Sequence, residues 1–133
     1  AAVQAGRRPG PFEPTVRPVA GPPQAHALTV QLQAAAWEGI GPARTGDGIA
    51  RLLAVVRATQ GQLTDTGGRL RRWDVGLMQR VELDNLLLVA EAVGVSARER
   101  TASLGAHFRL DSTGAGGPPP VRVGLAGGRV VLV

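Results

Sequence analysis

Apolar residues recur along most of this chain at intervals of three and four, the helical period. In "LTVQLQAAAWEGI" (28–40), Leu28, Leu32, Ala35, Ala36 and Ile40 keep that spacing, Thr29 is placed to cap, and Gly39, Gly41 and Pro42 stop the run. "TGDGIARLLAVVRATQG" (45–61) starts again, with Asp47 as N-cap, an apolar stripe of Ile49, Leu52, Leu53 and Val56, and Gly61 as the C-terminal stop. Residues 61–68, with Gly67-Gly68, read as a loop. The longest periodic segment runs from about Trp73 to Arg100, with Asp74 as its N-cap. There Val75, Met78, Val81, Leu83, Leu86, Leu87, Val89, Ala90 and Val93 predict one broad apolar face. Gly94 is a candidate kink or break; with a break, Ser96 caps a final helix, and Gly105 ends it.

After "TGAGGPPP" the period changes to that of strands. "VRVGL" and "RVVLV", joined by a glycine loop, predict a β-hairpin. An isolated hairpin is marginal in water, so it must pack on the helices or on another chain. At the other end, Pro9, Pro11, Pro14, Pro18, Pro22 and Pro23 fall within residues 1–26. Proline lacks a backbone donor and blocks helix interiors, so this arm should be irregular, with Phe12 and Val16 as its anchors. The expected architecture is mainly α: an antiparallel three- to four-helix bundle (27–111) with a Pro-rich irregular N-terminal arm (1–26) and a Gly/Pro turn plus short C-terminal β-hairpin (112–133).

Composition narrows the function classes. All fifteen basic residues are arginine, and the net charge is +5. Such a charge favours acidic partners, but the arginines are scattered and aromatics make up only 3%, so stacking platforms for nucleic acid are lacking. The absence of cysteine removes disulfides, thiolate nucleophiles and cysteine metal ligands. His26 and His107 form no ligand pair, so no metal site is expected. No apolar run approaches the ~20 residues of a membrane span, and the N-terminal stretch lacks a signal-peptide core; a soluble cytoplasmic protein is the expectation.

Candidate chemistry is sparse. There is no GxGxxG after a strand, no GxxxxGK[ST] and no GxSxG. Gly114, Gly116 and Gly117 precede prolines and a strand, not a helix N-terminus, so they form no phosphate cradle. A Ser103–His107–Asp111 trio can be written down, but no oxyanion-hole context supports it. Glu82 and Asp84, two apart on a helix, point away from each other. Trp37 and Trp73 sit at helix boundaries and are expected to pack in or beside the core. Asn85 lies within the apolar stretch "VELDNLLLVA", and a buried amide there must satisfy its hydrogen bonds on a loop or neighbouring helix, with Glu82 sharing the task. In "AHFRLD", His107, Arg109 and Asp111 share one side of an extended strand while Phe108 and Leu110 face the other.

Three landmarks, "GPAR" (41–44), "VELDNLLLVAEAV" (81–93) and "RERTASLGAHFRLD" (98–111), stand in an order and spacing that resembles the C-terminal helical domain of one flavoprotein family. That family includes L-aspartate oxidase and the flavoprotein subunits of succinate dehydrogenase and fumarate reductase. Gly41 and Arg44 match its G-[VI]-x-R turn, with Pro42 in place of the branched apolar residue. Glu82, Asn85 and Leu86 match its E-x-x-N-[LM] segment. Arg100, Ser103, Gly105, Ala106, His107, Arg109 and Asp111 match its closing pattern, R-x-E-S-R-G-A-H-x-R-x-D. Ala102 and Leu104 stand where the family has glutamate and arginine, so that charged pair is missing. Within the family, the aromatic in "AHFRLD", the short tail and the "RVVLV" ending look most like L-aspartate oxidase.

The resemblance implies FAD in an N-terminal dinucleotide-fold domain of the parent enzyme, a capping domain that completes the active site, and oxidation of L-aspartate to iminoaspartate in NAD biosynthesis. For this chain it implies no cofactor and no catalytic residue of its own. Its partners would be the FAD-binding and capping domains, contacted through the matched positions Arg44, Glu82, Asn85, Arg100, Ser103, Gly105, His107, Arg109 and Asp111. The equivalent domain of a fumarate reductase or succinate dehydrogenase flavoprotein is the second reading. A free-standing helical interaction module is the third.

Overall fold

The computed structural model describes residues 22–63, 74–112 and 121–133. Three helices pack against one another: α1 (Pro22–Ile40), α2 (Gly46–Gln62) and α3 (Val75–Glu99). Short strands connect and close them: β1 (Ala43–Arg44) between α1 and α2, β2 (Phe108–Arg109) after α3, and a terminal hairpin of β3 (Val123–Ala126) and β4 (Arg129–Leu132). The Phe12 and Val16 anchors, Gly67-Gly68, Trp73 and the "TGAGGPPP" turn lie outside the described residues.

Helix α1 starts at Pro22, earlier than the proline pattern suggests. Two prolines are tolerated in a first turn because its N–H groups lack intrahelical acceptors. Thr29 is therefore not a cap; its hydroxyl donates to the Ala25 carbonyl one turn back. Helix α2 is capped by Thr45, whose Oγ1 accepts from the Gly48 N–H at 3.1 Å, while Asp47 sits within the first turn. Two capping residue types lie two positions apart there, and only geometry decides between them. Gly61 remains helical, and Leu63 is the C-cap. Asp74 caps α3 as its sequence predicts, accepting from Leu77 N–H at 3.1 Å.

Helix α3 runs unbroken through Gly94, and it ends at Glu99 with Arg100 as C-cap. Ser96 starts no new helix; its hydroxyl donates to the Ala92 carbonyl. Gly94 serves packing instead, because a Cβ there would lie 2.9 Å from Leu53 Cδ2 on α2. α2 and α3 run in opposite directions, since Leu53 meets Gly94 while Gln60, two turns on, reaches back to Glu91.

The main core joins Ala25, Leu28 and Leu32 of α1 to Leu52 and Val56 of α2 and to Leu83, Leu87 and Ala90 of α3. A second cluster, Ile49, Leu53, Val95 and Ala97, takes Val123 and Val130 of the hairpin against it. The hairpin thus packs on its own bundle, mainly along α3. Its turn is Gly127-Gly128, both at positive φ, as a two-residue connection between twisted strands demands.

The apolar residues of α3 divide into two stripes. Leu83, Leu87, Ala90, Gly94 and Ala97 repeat as i, i+4, i+7, i+11 and i+14 and are buried. Val75, Met78, Val81 and Val89 are exposed, Met78 to 67%. Asn85 lies about 200° around the helix from both Leu83 and Leu87, so it is exposed and has no buried amide to satisfy. Trp37 is 73% exposed and does not pack as its sequence position suggests.

Candidate functional site: the closing joint

After α3 the chain turns back and lies against the opening of α2. β2 pairs in parallel with β1, Ala43 opposite Phe108 and Arg44 opposite Arg109, and the Leu110 N–H extends the ladder to the Arg44 carbonyl at 2.9 Å. The reversal before it is made by Leu104 and His107, which exchange both backbone hydrogen bonds around Gly105 and Ala106. Gly105 has φ +58, so it supplies this turn rather than the end of a helix. "GPAR" and "AHFRLD", far apart in sequence, are two strands of one small sheet.

The polar residues of this stretch are engaged with one another and with helix ends. The Arg44 Nη1 lies 2.8 Å from His107 Nδ1, and His107 Nε2 lies 2.9 Å from the Arg100 carbonyl. A guanidinium only donates and a carbonyl only accepts, so the imidazole carries its hydrogen on Nε2. Arg44 Nε also donates to the Gly41 carbonyl, which fixes the "GPAR" turn. Ser103 Oγ accepts from the Arg109 N–H at 2.9 Å and lies 3.3 Å from the Arg109 carbonyl, so one hydroxyl serves both backbone groups of that strand residue.

Arg109 is buried, and its guanidinium grips Asp111 with two parallel bonds of 2.8 and 2.7 Å. Its third nitrogen donates to the Ala97 and Arg100 carbonyls at the end of α3. Asp111 in turn accepts the Gly46 N–H at the start of α2, at 2.6 Å. The cation therefore sits at a helix C-terminus and the anion at a helix N-terminus, which is the arrangement both helix dipoles favour. The hydrogen bonds from Arg109, and then that from Gly46, hold the Asp111 carboxyl well below the usual carboxylate range. The hydrogen bond to Asp111 likewise raises Arg109.

Ser103, His107 and Asp111 do not form a catalytic trio. The serine is bonded to Arg109 backbone, the histidine to Arg44 and Arg100, and the aspartate to Arg109 and Gly46. The alternation read from "AHFRLD" holds for its buried side, His107 and Arg109, and for its outer side, Phe108 and Leu110. Ala102 is buried, whereas Leu104 is exposed. Glu82 and Asn85 are not part of the joint. They line a shallow groove of about 670 Å³ on the exposed stripe of α3, with Leu77, Met78, Val81 and Val89. Asp84 faces elsewhere and pairs with Arg80 at 2.8 Å. What sequence reasoning missed is this groove; its signal was present as a second i, i+3, i+7, i+11 series, Met78, Val81, Asn85 and Val89.

Residues 29–115 match the family model described as "Fumarate reductase flavoprotein C-term". The chain belongs to this family. The succinate dehydrogenase flavoprotein subunit of Coxiella burnetii is 44% identical over 55 residues, which are 41% of this chain and 9% of that protein. The chain thus aligns with less than a tenth of the relative's length. Arg44, Ser103, His107, Arg109 and Asp111, which the resemblance singled out, all meet in the joint of this flavoprotein C-terminal domain. The family implies FAD in the parent enzyme. The strand-to-helix turn with glycines that this chain offers, Gly46 to Gly48 after β1, does not fit a flavin pyrophosphate. The Gly46 and Gly48 N–H groups are already taken by Asp111 and Thr45. No described helix is long and apolar enough to cross a membrane, and no described cluster of His, Asp or Glu has the makings of a metal site.

Proposed function

We propose that this chain is the C-terminal helical domain of an L-aspartate-oxidase-like FAD enzyme, which oxidises L-aspartate to iminoaspartate in NAD biosynthesis. Its part is to buttress the FAD-binding and capping domains, and it supplies no catalytic group. The observation that carries this reading is the closure of the joint. The residues that most resemble catalytic machinery, Ser103, His107, Arg109 and Asp111, are bonded within the fold. They shape the domain; they do not present themselves to a substrate.

Docking falls to the exposed stripe of α3, where Glu82 and Asn85 stand among apolar side chains. A mixed rim of this kind, apolar with two polar anchors, suits a permanent interface with another domain. Phe108 and Leu110, exposed on the outer side of β2, extend the apolar area the parent enzyme would cover. Support of this kind keeps a distant catalytic geometry fixed without lining it.

The second reading is the equivalent domain of a succinate dehydrogenase or fumarate reductase flavoprotein, and the similarity to the Coxiella burnetii subunit favours it. Anaerobic reduction of the flavin in the complete enzyme separates the two. Bleaching of the flavin absorption by L-aspartate is the expected result. Bleaching by succinate and not by L-aspartate would transfer the assignment to the second reading. Stoichiometric FAD binding by the 133-residue chain itself, followed by flavin fluorescence, would overturn both.

A further inference from the structure

Beside the joint, further along the same face of α3 that bears the groove, a cavity of about 370 Å³ is lined by Arg44, Ser96, Arg100, His107 and the apolar Val93 and Val123, with no carboxylate among its described lining residues. Two cations lining one open space with no acid among the described residues is an unbalanced arrangement. Arg44 spends Nε on Gly41 and Nη1 on His107, which leaves Nη2 without a hydrogen bond among the described residues and the planar group held in place. Arg100 contributes its backbone carbonyl to the joint, while its guanidinium makes no hydrogen bond or ion pair among the described residues. The carbonyls of Ala97 and Arg100, which would repel an anion at this helix end, are already covered by Arg109 and His107.

We propose that this cavity is a carboxylate-binding site, in which Arg44 and Arg100 take the oxygens and Val93 and Val123 hold a short apolar stem. Guanidinium groups bind carboxylate through paired, charge-assisted hydrogen bonds. Arg44 is fixed in advance by His107, so little ordering is lost on binding. The valine walls select against phosphate, whose charge of about −1.5 to −2 is costlier to strip of water than a monoanion's. The occupant is either the side chain of an acidic residue on a partner or a small free organic acid; both present the same group.

The test follows the arginine Nε–H resonances of the ¹⁵N-labelled 133-residue chain. Sodium butyrate should shift the Arg44 and Arg100 signals saturably, beyond the effect of sodium chloride at equal ionic strength. Arg100→Gln should weaken butyrate about tenfold, the usual consequence of losing a charge-assisted hydrogen bond. Val93→Glu, at a partly exposed position on the cavity wall, should place a competing carboxylate there and abolish the butyrate response. The blocked peptide N-acetyl-Ala-Glu-Ala-amide separates the sources. Tighter binding of the peptide identifies a partner's side chain, and tighter binding of butyrate identifies a free acid. Shifts no larger than those in sodium chloride, unchanged affinity in both variants, or tighter binding of inorganic phosphate than of butyrate would overturn the proposal.

Discussion

The closing joint and the outer stripe of α3 are opposites. The joint is dense in charge and hydrogen bonds, yet its key members are satisfied: Arg109 holds Asp111 and two carbonyls, His107 bridges Arg44 and Arg100, and Ser103 binds both backbone groups of Arg109. The stripe is mostly apolar and leaves Met78, Val81 and Val89 exposed. Polar crowding therefore marks internal architecture in this molecule, and apolar exposure marks unmet demand. A buried polar group is costly unless paired, so a crowd of them survives only as a closed network. Exposed apolar surface of this extent carries the opposite message.

The sharpest way to break that contrast is Arg109→Ala. It takes the side-chain donor from the Ala97 carbonyl and releases Asp111, and it should destabilise the domain by about 2–4 kcal/mol in urea unfolding. A change below ~0.5 kcal/mol would show that the joint is decoration. Next, Ser103→Ala leaves the Arg109 N–H without its acceptor and should cost about 1–2 kcal/mol. The third test uses pH. The Asp111 carboxyl is held below its ordinary value by Arg109 and Gly46. Its contribution is therefore complete above the unfolded carboxylate pKa of about 4 and is lost as pH falls from there through the lower folded value. Asp111→Asn should flatten that acid limb of the stability profile, and a carboxyl titrating at the ordinary value by NMR would refute the pairing. The smallest effect belongs to the stripe. Asn85→Leu should change the stability of the isolated chain by no more than about 0.5 kcal/mol, because the side chain is exposed. The same substitution in the complete enzyme should weaken the hold of this domain on its neighbours, as read by limited proteolysis at the domain boundary.

Much of this fold is written in local pattern. Asp74 and the apolar period of α3 announce their helix, the glycine pair at 127–128 announces the hairpin, and the alternation in "AHFRLD" tells which residues share a side of β2, though not that the polar side is the buried one. The joint was legible only as a motif, because the sequence does not say that "GPAR" will be its partner strand. What stayed hidden is where leucine and valine carry equal hydrophobicity on two sides of one helix. Leu83 and Val81 look alike in sequence, yet one is fully buried and the other exposed, and only the packing of α1 and α2 decides which. The start of α1 at Pro22 and the uninterrupted course through Gly94 escaped for a related reason. Both residues are helix breakers by intrinsic preference, and position overrides that preference, in the first turn for one and against Leu53 for the other.

The bridge from the end of α3 to the start of α2 also bears on the order of folding. Its contacts join residues 63 and 65 positions apart, Arg44 with His107 and Gly46 with Asp111. Arg109 meets the Ala97 and Arg100 carbonyls within its own stretch of chain, whereas Asp111 reaches Gly46 only once α2 and α3 have docked, and contacts between distant residues come late. The segment from Arg100 to Ser112 thus behaves as a clasp that shuts on a finished bundle. Interactions formed after the rate-limiting step leave the folding rate almost untouched and slow unfolding instead. The charged residues of this clasp give the domain persistence: they set how long it stays folded more than how quickly it gets there.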